Sequence, residues 1–338
     1  MVHAPQALQP NTVFAGRYRV LTHLGKGAMG AVIAAQEIRT GRRVAIKCLL
    51  EEHCGDPRLV ARFRREARAT IRLRSEHVAH VLDAGEETMS PGGPSIPFLV
   101  MEHLEGRDLR AVMRDAGRLS PEQAADHVIQ ACAGLAEAHA LGIVHRDLKP
   151  ANLFLARVAD GRTVLKILDF GVAKFESSSV SGDEEQMTAA GEAMGSYAYM
   201  APEQIIDASS VDARADIWSL GVVLYHLVTG ERPFDSETLR DVAIKIIMGN
   251  HRPLEELRSD LPPGFADVVR RCLQKELSHR FGSVVELARA MSPFTQPRPR
   301  PAPEAQMFLR TARFPADVAR ALRDAALESA DTVVGRRG

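Results

Sequence analysis

Cysteine is scarce in this chain. There are four in 338 residues, Cys48, Cys54, Cys132 and Cys272, with no CxxC pair and no metal-ligand spacing. This excludes a disulfide-framed secreted scaffold and a thiolate zinc site, and predicts a reduced, cytoplasmic protein. Net charge is also lacking. Lys plus Arg and Asp plus Glu both number 43, which gives no support to nucleic acid or a membrane surface as the main partner. Long apolar runs are missing too. The longest uncharged, mostly apolar run, Ile217 to Gly230, contains Trp218, Ser219, His226 and Thr229 and is too short to span a bilayer. It is expected to be a buried helix. Residues 1 to 16 have neither the basic start nor the apolar core of a signal peptide, and no internal repeat is visible. What remains, 45% hydrophobic and 25% charged, is ordinary for a soluble globular protein of one large or two ordinary domains.

The richest stretch is His145 to Asn152, HRDLKPAN. It places an acid, a base and an amide within eight residues. Asp147 can accept a proton from a hydroxyl, Lys149 can hold a phosphate, and Asn152 can ligate a cation. Upstream, residues Arg17 to Leu24 predict a strand. It is followed by Gly25-Lys26-Gly27-Ala28-Met29-Gly30-Ala31-Val32, a GxGxxGxV run. Glycines let backbone approach phosphates without side-chain clash. A dinucleotide fold would need a helix directly after them. Here Val32 to Ala35 continues as a strand, which predicts a strand-turn-strand flap. Val44-Ala45-Ile46-Lys47 forms the next strand, and a lysine ending an apolar strand is costly to bury unless paired. A snorkelling edge lysine is the alternative. Leu59 to Arg74 predicts a helix with Phe63, Ala67, Thr70 and Ile71 near one face. Glu66 lies on that face and is the best candidate partner for Lys47, with a solvated helix charge as the alternative.

Residues 86 to 97 read as a loop, followed by the strand Phe98 to Met101 and then Glu102 to Gly106. Ser120-Pro121-Glu122-Gln123 carries the signals of a helix start, with an N-cap Ser, Pro at the first helical position and Gln closing a capping box. Val128, Ile129, Cys132, Leu135 and Ala136 are expected on its buried face, and Gly142 stops it. A hairpin of Leu153–Ala156 and Thr163–Leu168 leads to Asp169-Phe170-Gly171. Lys174 to Glu192 is polar and Ser-rich and is expected to be mobile. Gly195 to Glu203 ends in Ala-Pro-Glu, and Asp216-Ile217-Trp218-Ser219 opens the apolar helix. Further helices are expected around Leu239–Met248, Phe265–Gln274 and Val284–Met291. A Pro-rich stretch, 293–303, predicts an extended linker. The tail, 304–338, has a candidate helix at Asp317–Ser329.

Over about residues 17 to 292 the chain resembles the bacterial Hanks-type serine/threonine protein kinases, with glycine loop, VAIK, HRDLKPAN, DFG, APE and DIWS in order. The resemblance implies an α+β, bilobal kinase fold. A small antiparallel-sheet lobe with one helix (17–101) would precede a large, mainly helical lobe (106–292), with residues 1–16 as an extension. It implies transfer of the γ-phosphoryl group of Mg-ATP, with Mn²⁺ as an alternative ion, to Ser or Thr hydroxyls of proteins. ATP and Mg²⁺ would sit between the lobes.

By the same resemblance Asp147, Lys149 and Lys47 are catalytic, and Asn152 and Asp169 hold the metal. The nucleotide would meet Leu24, Gly25, Lys26, Gly27, Ala28, Met29, Gly30, Val32, Ala45, Lys47 and Glu66. It would also meet the gatekeeper Met101, the backbones of Glu102 and Leu104, and Asp108 and Phe154. Phe154 stands where many family members carry Leu or Met, and Ser196 where the family usually has Thr. Asp216 would brace the catalytic loop and Arg280 would pair with Glu203. Arg146 would grip a phosphate on the mobile segment, with Thr188 the first choice for autophosphorylation ahead of Ser177, Ser178, Ser179 and Ser181, through a transient homodimer. A pseudokinase would usually have lost Lys47, Asp147 or Asp169. A small-molecule phosphotransferase would lack the segment ending in Met200 to Glu203.

Overall fold

The structure, a computed structural model, describes residues 8–27, 30–88, 93–158, 160–170, 195–207 and 210–295. The expected sites Ala28, Met29, Gly171 and Thr188, the stretch Lys174–Glu192 and the tail 304–338 lie outside the described residues. The chain divides into two compact units, Met1–Gly106 with Leu155–Lys174, and Arg107–Phe154 with Phe175–Gly338.

The first unit is built on an antiparallel sheet. Its strands are β1 (Val13–Phe14), β2 (Tyr18–Lys26), β3 (Gly30–Glu37), β4 (Arg43–Leu49), β5 (Val81–Thr88) and β6 (Ser95–Glu102), in the order β1-β2-β3-β4-β6-β5. The loop expected over 86–97 is shorter, because β5 runs to Thr88 and β6 starts at Ser95. Register gives the sheet two faces. Val44, Ile46 and Cys48 turn to one side and pack with Leu8, Phe14 and Phe98. Residues 8–16 are therefore more than an extension. Leu8 and Phe14 are fully buried, and Phe14 meets the Phe98 ring edge-on at 5.0 Å. Burying such an aromatic contributes roughly 2–3 kcal/mol.

On the other face, Val32 opposes Lys47, which opposes Leu99, while Ala45 opposes Met101. Helix α1 (Pro57–Thr70) belongs to this face. Its N-cap Asp56 accepts from Arg58 N–H, and Phe63 packs with Leu49, Val81 and Leu99. The helix ends four residues before the expected Arg74, and Ile71 at its end is exposed. Gly30 has a packing reason of its own. A Cβ there would come within 2.6 Å of the Cys48 carbonyl oxygen, whereas one at Gly25 would meet nothing within 4 Å.

Beyond the short strand β7 (Gly106–Asp108), β8 (Leu153–Arg157) and β9 (Thr163–Ile167) are neighbours in a small sheet. Residues 155–158 and 160–170 pack with the first unit, whereas the expected boundary put them in the large lobe. The reason is a set of ties to residues 77–79. Ile167 bridges Val78, Leu165 O meets His77 Nδ1 at 3.0 Å, and Ala79 N–H donates to Ile167 O.

The second unit is helical. It comprises α2 (Leu109–Ala116), α3 (Pro121–Ala140), α4 (Pro202–Ile206), α5 (Arg214–Thr229), α6 (Leu239–Met248), α7 (Leu254–Leu257), α8 (Phe265–Cys272) and α9 (Val284–Met291). The capping box of α3 forms as its sequence predicts, with Gln123 N–H donating to Ser120 Oγ and Ser120 N–H donating to Gln123 Oε1. After its last residue the chain turns at Gly142, whose φ of +73° suits glycine. Helix α5 is buried almost all round, from Ala215 through Tyr225. Helix α8 stops at Cys272, short of the expected Gln274. No described helix is long and apolar enough to cross a membrane.

Candidate active site

In the first unit, Lys47 Nζ donates to Glu66 Oε1 at 2.7 Å and to Asp169 Oδ1 at 2.8 Å. The helical period explains the first contact. Phe63, Glu66 and Thr70 fall on one stripe of α1, so anchoring Phe63 and Thr70 inward aims Glu66 at the sheet face that carries Lys47. Burial alone would lower the lysine's pKa. The carboxylates of Asp169 and Glu66 outweigh it and hold the ammonium above its ordinary value. Asp169 adopts φ +48°, a left-handed conformation that costs a non-glycine residue of order 1–3 kcal/mol and clusters at functional sites.

Of the other expected nucleotide residues, Val32, Ala45 and Met101 share the sheet face of Lys47. Leu24 is exposed at a register shift between β2 and β3. Glu102 N–H donates to His80 O, while its carboxylate accepts from the buried Lys166 at 2.7 Å. Leu104 belongs to the run Glu102–Glu105, which borders a cavity of about 340 Å³ on the side of Arg43, Arg157 and Lys166. None of Lys47, Glu66 or Asp169 lines that cavity. Asp108 is the N-cap of α2 and accepts from Ala111 N–H, so helix capping accounts for its carboxylate.

In the second unit, Lys149 Nζ reaches Asp147 Oδ2 at 3.0 Å and Ser196 Oγ at 2.7 Å. Ser196 thus supplies a hydroxyl to this cluster. Asn152 Nδ2 donates to Asp147 O at 2.8 Å and to Asp147 Oδ2 at 3.3 Å. Phe154 is partly buried on β8. The loop is pinned from below by Asp216, fully buried on α5. Its carboxylate accepts from His145 N–H, Arg146 N–H and His139 Nε2 at 2.9, 2.9 and 2.7 Å. Burial would raise the Asp216 pKa, but the bonds from His139 and His145 hold it below the usual carboxylate range. The pinned residue Arg146 has φ +65°. Its carbonyl accepts from Gln204 Nε2 at 2.9 Å. Pattern reading found Asp216 but not His139, Gln204 or Lys166. These are single polar residues on helices or strands with no spacing signal of their own.

Glu203 and Arg280 form a bidentate pair at 2.7 and 2.8 Å, and the Arg280 guanidinium also stacks 5.0 Å from the Trp218 ring. Nearby, Tyr199 Oη meets His226 Nδ1 at 2.6 Å. Burial, with help from Arg232, pushes the His226 imidazole down to about 4. Between that value and about 6.5 the unfolded chain binds a proton that the folded chain refuses, so stability falls as the pH is lowered through this window. The loss attributable to His226 is expected to be about 2 kcal/mol between pH 7 and 5. Denaturant unfolding at the two pH values checks this. His226→Gln, which keeps an acceptor for Tyr199, should flatten the difference; an unchanged slope would contradict it.

A family profile described as protein kinase domain matches residues 18–291. The chain belongs to the protein kinase family. It is 38% identical over 288 residues to the serine/threonine-protein kinase PknA of Mycobacterium tuberculosis, covering 85% of this chain and 63% of that protein. It is 37% identical over 280 residues to a probable serine/threonine-protein kinase of Corynebacterium efficiens, covering 82% and 41%. The chain therefore spans less than two thirds of the length of these curated relatives. Its fold is similar to the crystal structure of the Mycobacterium tuberculosis PknI kinase domain, with a TM-score of 0.64 at 29% identity, covering 86% of this chain and 100% of that one. The kinase fold, an antiparallel sheet unit with one long helix and a helical unit, is thus shown. The relatives are bacterial kinases of the Hanks type.

Proposed function

We propose that this chain is an ATP-dependent serine/threonine protein kinase of bacterial signalling. The observation that carries the reading is the Asp147–Lys149–Asn152 cluster on a loop pinned by a buried carboxylate, in a chain of this family. Asp147 orients the acceptor hydroxyl and takes its proton as that oxygen attacks the γ-phosphorus. The bond from the γ-phosphorus to the β–γ bridging oxygen then breaks and ADP leaves. Lys149 offsets charge on the transferred group. Lys47, fixed by Glu66, holds the α- and β-phosphates. The glycine run Gly25, Gly27 and Gly30, with Lys26, covers the phosphates. Leu24, Val32, Ala45, Met101 and Phe154 pack around the adenine, and the backbones of Glu102 and Leu104 bond it.

By the family resemblance Asp169 and Asn152 would hold a magnesium ion. A carboxylate and an amide oxygen are both hard ligands, and manganese suits the same residue types. Asn152 Nδ2 is engaged with Asp147, so the amide oxygen is the atom that would meet an ion. When bound, magnesium supplies charge neutralisation on the β- and γ-phosphates.

The need for ATP and the free thiols of all four cysteines support a cytoplasmic site of action. Thr188 is the proposed autophosphorylation site, modified in a transient pair of copies. Arg146 is the proposed grip for its phosphate. Phosphopeptide mass spectrometry of wild-type protein and of Asp147→Asn tests both levels. Phosphoserine or phosphothreonine on an added protein acceptor only with wild type supports the kinase reading. Phosphate at Thr188 under the same condition supports the switch, and fully active enzyme unmodified at Thr188 would overturn it.

A further inference from the structure

We infer that Gln204 is a positioning residue for the catalytic base, coupling the segment that ends at Pro202-Glu203 to the peptide between Arg146 and Asp147. The inference rests on the kinase reading of Asp147. Gln204 is 3% exposed on α4, and both ends of its amide are used. Oε1 accepts from Ala201 N–H at 3.0 Å, and Nε2 donates to Arg146 O at 2.9 Å. That pattern fixes the amide's orientation, since the reverse would face donor to donor and acceptor to acceptor.

The residue it holds is under backbone strain. Arg146 sits at φ +65°, where a side-chain-bearing residue stays only if its surroundings enforce it. Two buried groups do so from opposite ends. The Asp216 carboxylate takes the Arg146 N–H, and the Gln204 amide takes the Arg146 carbonyl. His145 Nδ1 accepts from Asp147 N–H at 3.2 Å, on the other side of the same peptide. The plane of that peptide sets the direction in which the Asp147 side chain leaves the backbone. Of the three anchors, only Gln204 lies on the stretch 195–207 that also carries Ser196, and its helix is held in turn by the Glu203–Arg280 pair. Misplacement of that segment withdraws the Gln204 amide and frees the strained peptide to relax. Asp147 then loses its aim without losing its identity. Loss of aim at the base lowers turnover while leaving nucleotide binding alone.

The test uses the full chain with γ-labelled ATP, magnesium and casein as a generic acceptor. Rates are normalised to nucleotide-binding sites, so that unfolded protein does not count. Gln204→Met keeps the length and removes the donor. Gln204→Glu keeps an acceptor for Ala201 N–H and places an oxygen against the Arg146 carbonyl. Both are expected to lower kcat at least about tenfold with KM for ATP within about twofold, and Gln204→Glu should be the lower. A residue that only stabilises the fold would reduce the number of binding sites and the melting temperature but leave kcat per site unchanged. Either variant with kcat per site near that of wild type, or with ATP affinity lost in step with kcat, would overturn the inference. A wild-type chain that transfers no phosphate overturns instead the kinase reading beneath it.

Discussion

Asp147→Asn is expected to lower phosphoryl transfer by roughly 10²–10⁴-fold, the usual worth of a positioned base, while nucleotide affinity stays within about twofold. The asparagine keeps the shape of the side chain but cannot take the hydroxyl proton. In the structure the Asp147 carboxylate accepts from Lys149 Nζ and Asn152 Nδ2, and by its role it meets the acceptor hydroxyl and not the nucleotide. The effect should therefore fall on kcat and not on ATP binding. Stopped-flow or equilibrium binding of a fluorescent nucleotide, beside a steady-state rate, separates the two. An Asp147→Asn protein that labels its acceptor at the wild-type rate would refute the role.

Arg280→Met should cost about 3–5 kcal/mol of stability, because it leaves the Glu203 carboxylate largely buried with no guanidinium against it. The guanidinium side chain is 0% exposed and Glu203 10% exposed, and Arg280 also donates to the carbonyl of Gln274. For a domain of this size the melting temperature is expected to fall by roughly 10 °C. Exposed pairs give the contrast. Arg270–Glu255, with both side chains about half in water, should contribute no more than about 1 kcal/mol. Calorimetry of Arg280→Met and Arg270→Met in parallel decides the matter. Equal losses would contradict the assignment of Arg280 as a buried anchor.

Much of this fold was legible in the chain because local signals agreed with it. The N-cap, proline and capping box at residues 120–123 start α3 where they predict, and the uncharged run from Ile217 is the buried helix α5. Lys47 and Glu66 could be matched because a helical stripe carries Phe63, Glu66 and Thr70 together. Elsewhere the signals were silent. Nothing in a two-residue strand announces that Phe14 would be core, since its burial depends on Phe98, far along the sequence. The attachment of β9 to residues 77–79 is made by backbone groups and one histidine ring, and neither carries a sequence pattern. His139 and Gln204 escaped for a related reason. Each makes one long-range bond from an ordinary helical position, and polar residues at such positions usually face water. The left-handed backbone at Arg146 and Asp169 was equally hidden, because arginine carries no such signal and aspartate, though enriched there, adopts positive φ in only a small minority of cases.

The most direct measurement of the central claim is transfer from two labelled nucleotides. The purified chain is incubated with magnesium and a protein acceptor, once with ATP labelled at the γ-phosphate and once with ATP labelled at the α-phosphate. Acid hydrolysis of the acceptor then separates the phosphoamino acids. The account predicts label in phosphoserine or phosphothreonine from the γ-labelled nucleotide alone, abolished by Asp147→Asn. Absence of label from folded, nucleotide-binding protein, or equal labelling from the α-position, would contradict it.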